Sequence, residues 1–223
     1  MNVSSFSWKQ WTVIAAPVVL VLSMILAFQG FTVLLGSSLG YFSGFLLYWI
    51  GWCLVLPIII LKPRGILELF RESEKPFGTR PWLTAFITFW PIILPLSTYF
   101  LPNILKASAE VIILSIVIGV IIGVTEEILW RGVYIKVFPE NIWLRYIYPS
   151  IGFALWHIAP QSVRPSAVPG GAIAFVLVSL FLGLSWGYYA HKTDSIRWCT
   201  VAHVINDSFG LAGFAWLTIL TSL

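Results

Sequence analysis

The chain has 223 residues, of which 59% are hydrophobic and only 10% are charged. Soluble domains carry about 25% charged residues, so this composition argues against a water-soluble fold and predicts an integral membrane protein. The net charge of +4 is spread along the sequence rather than gathered on one basic face. We therefore expect contacts with membrane lipid and no nucleic-acid partner.

Seven apolar runs are long enough to cross a membrane, which takes about 20 residues of helix. The runs are residues 11–36, 41–62, 82–101, 109–137, 142–160, 168–190 and 195–221. The last run contains polar residues followed by Gly210 and Gly213, and a break there would raise the count to eight. The sequence therefore predicts an all-α, polytopic transmembrane helix bundle of seven or eight spans that forms one domain over residues 1–223.

Two connections between the runs have a recognisable character. In residues 62–81, Ile66, Leu69 and Phe70 follow helical spacing, which predicts a short amphipathic helix on the membrane surface. Residues 160–171 are rich in proline and glycine, which predicts an irregular loop.

The basic residues indicate how the chain is oriented in the membrane. With seven spans, the side that bears the N terminus carries Lys9, Lys62, Arg64, Arg71, Lys75, Arg80, Lys136, Arg145, Lys192 and Arg197. The opposite side carries only Lys106 and Arg164. Because cytoplasmic loops are enriched in Lys and Arg, we expect a multi-pass protein with a cytoplasmic N terminus.

Three acidic residues, Glu126, Glu127 and Asp207, lie deep in apolar sequence, where each ionisable group costs about 2.5–3.5 kcal/mol. Glu127 and Arg131 are four residues apart in the order that favours an ion pair on one helix face. Glu126 lies about 100° away around the helix, which leaves its carboxylate available as a general base. A helix–helix salt-bridge network without chemistry is the alternative for the pair.

The fifth and seventh runs carry the other polar candidates. Phe153 and His157 share a helix face, although a single histidine in a span is more often a packing residue. His203 and Asp207 also share a face, and an aspartate one turn away can fix the tautomer of an imidazole. Asn206 is a weaker candidate for a polar contact.

Together these residues form three motifs on three separate runs: EExxxR in TEEILWRG (125–132), FxxxH in FALWH (153–157) and HxxxD in HVIND (203–207). In that order they resemble the CPBP family, the CAAX proteases and bacteriocin-processing enzymes also called Abi proteins, which includes the type II CAAX prenyl endopeptidases. GLSWGYYAHKTDSI (183–196) is similar to the family's approach to the last histidine. The resemblance covers about residues 109–210.

The resemblance implies an intramembrane endopeptidase. Glu126 would activate water, while His157 and His203 would orient that water and stabilise the oxyanion. Glu127 and Arg131 would be the supporting ion pair. Asp207 stands where the family often has asparagine, so its expected role is to hold His203 in place.

Older and newer descriptions of the family differ over a metal. Glu126, His157 and His203 could supply three ligands to zinc, with water as the fourth. However, the chain has no HExxH motif, and Glu127 is better placed to pair with Arg131 than to replace Glu126 as the base. We therefore favour a mechanism without a cofactor and keep zinc as the alternative.

The resemblance also implies a peptide or prenylated protein as substrate and a prokaryotic cell membrane as the location. We expect a site in the cytoplasmic half that opens through a polar cavity. Because His157 lies deep in its run, a tilt or an early end of the fifth helix would be needed to bring the cluster together. Two other functions stay open: an inert Abi-like immunity or scaffold protein, and a proton-coupled carrier, against which the missing inverted repeat weighs.

Overall fold

The computed structural model describes residues 6–72, 74–139, 141–166 and 169–210, and these contain helices and no strand. The predicted all-α class is confirmed. Five helices are α1 (Trp8–Leu35), α2 (Ser37–Leu69), α3 (Pro81–Asn103), α4 (Ala109–Val137) and α6 (Gly171–Thr193). Between α4 and α6, α5 runs through Trp143–Ile147 and Tyr148–Trp156, and α7 (Arg197–Phe209) follows α6.

Helices α1, α2, α3, α4 and α6 are long and apolar enough to cross a membrane, so the chain is an integral membrane protein. The predicted run 142–160 consists of shorter pieces, because the helix is interrupted after Trp156 and only a four-residue turn follows. The predicted run 195–221 is helical over Arg197–Phe209, and residues 211–221 lie outside the described part of the chain. The count of seven or eight spans is not confirmed.

A proline inside α1 joins this helix to the rest of the bundle. Pro17 has no N–H, so the carbonyl of Val13 lacks its partner within the helix. The Tyr134 hydroxyl donates to that carbonyl over 3.0 Å, and the Tyr148 hydroxyl donates to the neighbouring Ile14 carbonyl over 2.5 Å. The Val13 and Ile14 carbonyls of α1 therefore accept hydrogen bonds from tyrosines of α4 and α5.

A kink in α2 separates its apolar part from the connection that follows. Lys62, directly before Pro63, has a φ of 63° and an extended ψ of 161°, and the ψ follows because a residue before proline is displaced from the helical region. The Lys9 ammonium donates to the Ile60 carbonyl next to the kink over 2.6 Å. The helix continues to Leu69, so the predicted short helix is confirmed, whereas its position at a membrane surface stays a prediction.

Small residues allow α4 and α7 to lie unusually close. A Cβ atom added to Gly123 would lie 2.7 Å from Val204 Cγ2 and 2.8 Å from the Val204 backbone nitrogen. One turn earlier, a Cβ atom on Gly119 would lie 2.6 Å from Ser208 Oγ. This is the small-xxx-small packing of membrane helices, and it places the two glutamates that follow Gly123 beside α7.

A buried arginine fastens α5 to the end of α6. The Arg145 guanidinium contacts the Pro139 carbonyl and the Asp194 carboxylate. Asp194 ends α6 in the left-handed conformation, with a φ of 55°. The contact orders the short connection that leads into α7.

Candidate active site

The acidic motif lies where the geometry of α4 changes. The α-helix ends at Glu127 and continues as a wider π-helical turn, Ile128–Val133. π-Helical turns occur frequently at functional sites. Glu126, Glu127 and Arg131 are 3%, 0% and 2% exposed, so all three face the protein interior.

Glu127 is the centre of the polar contacts. Its Oε1 atom lies 2.9 Å from Arg131 Nη1 and 2.8 Å from His203 Nδ1. The arginine contact is close but poorly aligned, since neither Nη1 nor Nη2 of Arg131 forms a regular hydrogen bond within the described residues. Glu127 Oε2 is likewise buried without such a bond in the described part of the chain. The predicted ion pair is present, and Glu127 also binds His203, a contact that the motif spacing did not predict.

The contact with Glu127 sets the orientation of the His203 ring. A carboxylate accepts, so Nδ1 of His203 carries a proton and donates it to Glu127. Nε2 then faces the other two carboxylates, at 3.7 Å from Glu126 Oε2 and 3.5 Å from Asp207 Oδ2. The residue that holds His203 most closely is therefore Glu127 rather than Asp207.

Asp207 forms the more open edge of the cluster. Its side chain is 18% exposed, whereas that of His203 is 3% exposed. The Asn206 amide donates to Asp207 Oδ1 over 3.2 Å, which is the only role the structure gives Asn206 among the described side chains.

Aromatic rings enclose the charged groups. The Arg131 guanidinium lies over the Phe153 ring at 4.3 Å, and Trp186 stacks on His203 with ring centroids 4.1 Å apart. Phe153 meets His157 and His203 edge to face, at 4.9 and 6.0 Å. One ring from α5 therefore contacts the arginine and both histidines, which explains the place of Phe153 in the motif.

His157 lies at the interruption of α5 and contacts the Phe153 ring, which also contacts Arg131 and His203. The helix ends at Trp156, so the early end that the site required is present. His157 Nδ1 lies 2.7 Å from the Phe153 carbonyl. A carbonyl only accepts, so Nδ1 carries the proton and Nε2 is the ring atom that remains for other partners.

The described residues contain no group of three His, Cys, Asp or Glu side chains arranged to hold a metal ion. The favoured mechanism without a cofactor and the zinc alternative with Glu126, His157 and His203 as ligands both stay predictions. Cys53 and Cys199 are free and fully buried, as expected for small hydrophobic residues.

Access to the cluster was expected through a polar cavity on the cytoplasmic side. Two surface depressions are present, one beside Lys9 and Ile60 and one beside Glu72 and Asp194, and no residue of the cluster lines either. The predicted entrance therefore stays a prediction.

Sequence patterns missed the aromatic and tyrosine contacts of the site. Trp186 lies in a segment similar to the family's, but nothing in the sequence distinguishes it from the other eleven tryptophans. Tyr48, whose hydroxyl accepts a hydrogen bond from Trp130, belongs to an apolar run without any polar motif.

Comparison with known proteins gives a match to a family model. Residues 108–209 match the family model described as "Type II CAAX prenyl endopeptidase Rce1-like". No curated protein and no solved structure matches the chain. The matched segment starts at the residue that caps α4 and ends with α7, so it contains the whole cluster from Glu126 to Asp207. Residues 108–209 thus form an Rce1-like domain, which supports membership of the CPBP family of CAAX-type proteases.

Proposed function

We propose that this protein is an intramembrane endopeptidase in which Glu126 activates the attacking water. The observation that carries the proposal is the unequal use of two adjacent carboxylates. Glu127 holds both Arg131 and His203, whereas Glu126 faces His203 Nε2 at 3.7 Å. Glu126 is thus the more loosely held of the two buried carboxylates.

In the proposed reaction, a water molecule lies within hydrogen-bonding distance of Glu126 Oε2 and His203 Nε2. Glu126 takes one proton from this water while the water oxygen forms a bond to the scissile carbonyl carbon. The carbonyl oxygen then carries the negative charge as an oxyanion. The carbon–nitrogen bond then breaks as Glu126 gives the proton to the leaving amine. The products are a carboxyl group and an amine, and Glu126 returns to its starting state.

The histidines have different parts in this scheme because their rings are held differently. Glu127 accepts from Nδ1 of His203, so only the doubly protonated ring carries an Nε2–H, which would face the cluster and donate to the oxyanion. The Phe153 carbonyl holds Nδ1 of His157, so the neutral ring offers Nε2 as an acceptor that orients water. Asp207, at 3.5 Å from His203 Nε2, favours the protonated imidazole.

The proposed substrate is a peptide segment at the membrane–cytoplasm boundary, either a CAAX-type prenylated protein or a leader peptide. The aromatic rings around the cluster, with exposed apolar residues on the outer helix faces, support a substrate that arrives from lipid.

The test compares purified wild-type protein with Glu126→Gln on fluorogenic peptides: one prenylated at a CAAX end, the same peptide without the prenyl group, and a transmembrane tail. We expect Glu126→Gln to lower kcat by about 10²- to 10⁴-fold, the usual contribution of a general base. The matched control is Glu110→Gln, an exposed glutamate on the same helix, which should cleave like wild type.

Cleavage by Glu126→Gln at the wild-type rate would disprove the assignment of the base. We expect wild-type cleavage to survive a zinc chelator, and its loss would favour the zinc alternative. If wild type cleaves none of the peptides and its cellular function survives Glu126→Ala, the immunity or scaffold role becomes the better explanation.

A further inference from the structure

A cavity lies between the ends of three membrane helices, on the side of the bundle that bears the N terminus. Its volume is about 280 Å³, and residues of α1, α2 and α4 line it. In the described part of the chain, no residue of the cluster around Glu126 is among them. The cavity is therefore separate from the candidate active site, and its own side chains decide what it can bind.

One lysine of this cavity is held in place by the protein. The Lys9 ammonium donates to the Ile60 carbonyl over 2.6 Å and lies 5.8 Å from the centre of the Trp8 ring. Both Lys9 and Ile60 line the cavity, and Lys9 is partly buried. An ammonium group has three N–H donors, so two remain for a ligand. The cation is thus fixed at the cavity wall before any ligand arrives.

A second cation comes from the far end of another helix. Lys136, in the last turn of α4, is exposed and lines the same cavity. It also borders the neighbouring depression, whose three carboxylates each pair with an arginine: Glu68 with Arg64, Glu72 with Arg197 and Asp194 with Arg145. Among the described residues, no acidic side chain lines the cavity itself. Two positive charges therefore face a cavity that provides no carboxylate to balance them.

The surroundings of the cavity are those of a membrane–water interface. Two membrane helices end at its walls, since α1 begins at Trp8 and α4 ends at Val137. Trp8 and Trp11 are exposed in the first turn of α1, and tryptophan is enriched at the level of lipid headgroups. Ile59, directly before Ile60, is an exposed apolar residue of α2. A headgroup in the cavity would thus have apolar helix surface beside it for its acyl chains.

We propose that this cavity binds the phosphate headgroup of an anionic membrane lipid, with Lys9 and Lys136 as the cations that contact the phosphate. Basic pockets between membrane helices bind such headgroups. The cavity is close to the lower size limit of small-molecule sites, about 300 Å³, so it accommodates a headgroup while the acyl chains stay outside. A free phosphate ion offers the same charge, but it gains nothing from the apolar surface next to the cavity. The proposal does not depend on the activity of Glu126.

The experiment titrates the purified full-length protein in detergent with phosphatidylglycerol, with zwitterionic phosphatidylcholine and with inorganic phosphate. A ligand that binds the folded state raises the unfolding temperature, which gives its dissociation constant. We expect phosphatidylglycerol alone to raise it. In Lys9→Gln and in Lys136→Gln, its dissociation constant should rise about fivefold, because each lysine near a lipid headgroup contributes about 1 kcal/mol.

The matched controls are Lys106→Gln and Lys192→Gln, which also remove one positive charge each. Both lysines are exposed and lie outside the cavity, on opposite sides of the predicted topology. Both variants should bind phosphatidylglycerol like wild type. Lys9→Gln also removes the hydrogen bond to Ile60, so if it does not fold, Lys136→Gln decides alone.

Three results would overturn the proposal. Equal affinity for phosphatidylglycerol in Lys136→Gln and in the two controls would show that the cavity does not hold the headgroup. Equal stabilisation by phosphatidylcholine would show that the negative charge of the lipid is not recognised. The same stabilisation by inorganic phosphate would assign the cavity to a soluble ion instead of a lipid.

Discussion

At the scale of single residues, the cluster depends on how its charges are compensated. Arg131 and Glu127 are both almost completely buried, with one close contact between them, and several of their donor and acceptor atoms form no regular hydrogen bond with the residues that the structure describes. Burial of a charge is tolerated when an opposite charge accompanies it, and removal of one partner leaves the other uncompensated.

This pairing leads to a prediction about Glu127 and Arg131. Glu127→Gln and Arg131→Met should each destabilise the protein by about 3–5 kcal/mol, the usual effect of breaking a buried ion pair. The double variant should regain most of that stability, because neither charge is left alone, while its peptidase activity stays low. Unfolding temperatures and cleavage rates of the four proteins give both comparisons. If the two destabilising effects simply add, the charges are not coupled.

At the scale of helices, the site exists because α4 and α7 touch through glycine. His203 precedes Val204, the residue that lies against Gly123, so the distance between the two helices also sets the distance between His203 and the glutamates. The contact with Glu127, at 2.8 Å, leaves little tolerance for separation.

We therefore expect Gly123→Ala to reduce both stability and activity. Its Cβ atom would lie 2.8 Å from the Val204 backbone nitrogen, which cannot rotate away as a side chain could. Forced separation of two helices by an added methyl group lowers the free energy of unfolding by about 1–3 kcal/mol. A displacement of about 1 Å in a catalytic group can lower the catalytic rate about 100-fold.

The matched control for that substitution is Gly30→Ala in α1, since a Cβ atom there meets nothing within 4 Å. It should leave activity unchanged and keep or slightly raise stability, because alanine favours helix more than glycine by about 1 kcal/mol. Equal activity in the two alanine variants would show that the approach of α4 to α7 does not position the site.

At the scale of the whole molecule, the distribution of basic residues predicts the orientation in the membrane. Arg64 and Lys106 are exposed and belong to the two opposite sides of the predicted topology. Cys53 and Cys199 are completely buried, so an impermeant maleimide should not reach them in the native protein.

Single cysteines introduced as Arg64→Cys and Lys106→Cys test this orientation. We expect the cysteine at position 106 to be labelled in intact cells and the cysteine at position 64 only after permeabilisation. The reversed pattern would place the N terminus outside and would move the proposed site to the opposite side of the membrane.

The candidate cluster could be found from the sequence because ionisable residues are conspicuous in apolar runs. Glu126, His157 and His203 stand out for that reason, and the helix class follows from the length of the runs. The contact between Glu127 and His203 was not predictable, because it depends on the distance between two helices. Tyr48 and Trp186 were not predictable either, since aromatic residues occur throughout such sequences. The predicted spans at 142–160 and 195–221 look continuous by hydropathy, which does not detect the break after Trp156.

Pro17 leaves the Val13 carbonyl without a partner inside α1, and Tyr134 of the matched segment donates to it. This contact bears on whether residues 108–209 could be transferred to another protein on their own. Tyr134, Tyr148 and Trp130 all lie within residues 108–209, and all three donate to acceptors on α1 or α2. If that segment were grafted onto foreign helices, three donors would face lipid or apolar side chains with no acceptor, at several kcal/mol each. A working chimera would need a proline-broken first helix and a tyrosine on the second, so the smallest transferable unit begins near the start of α1.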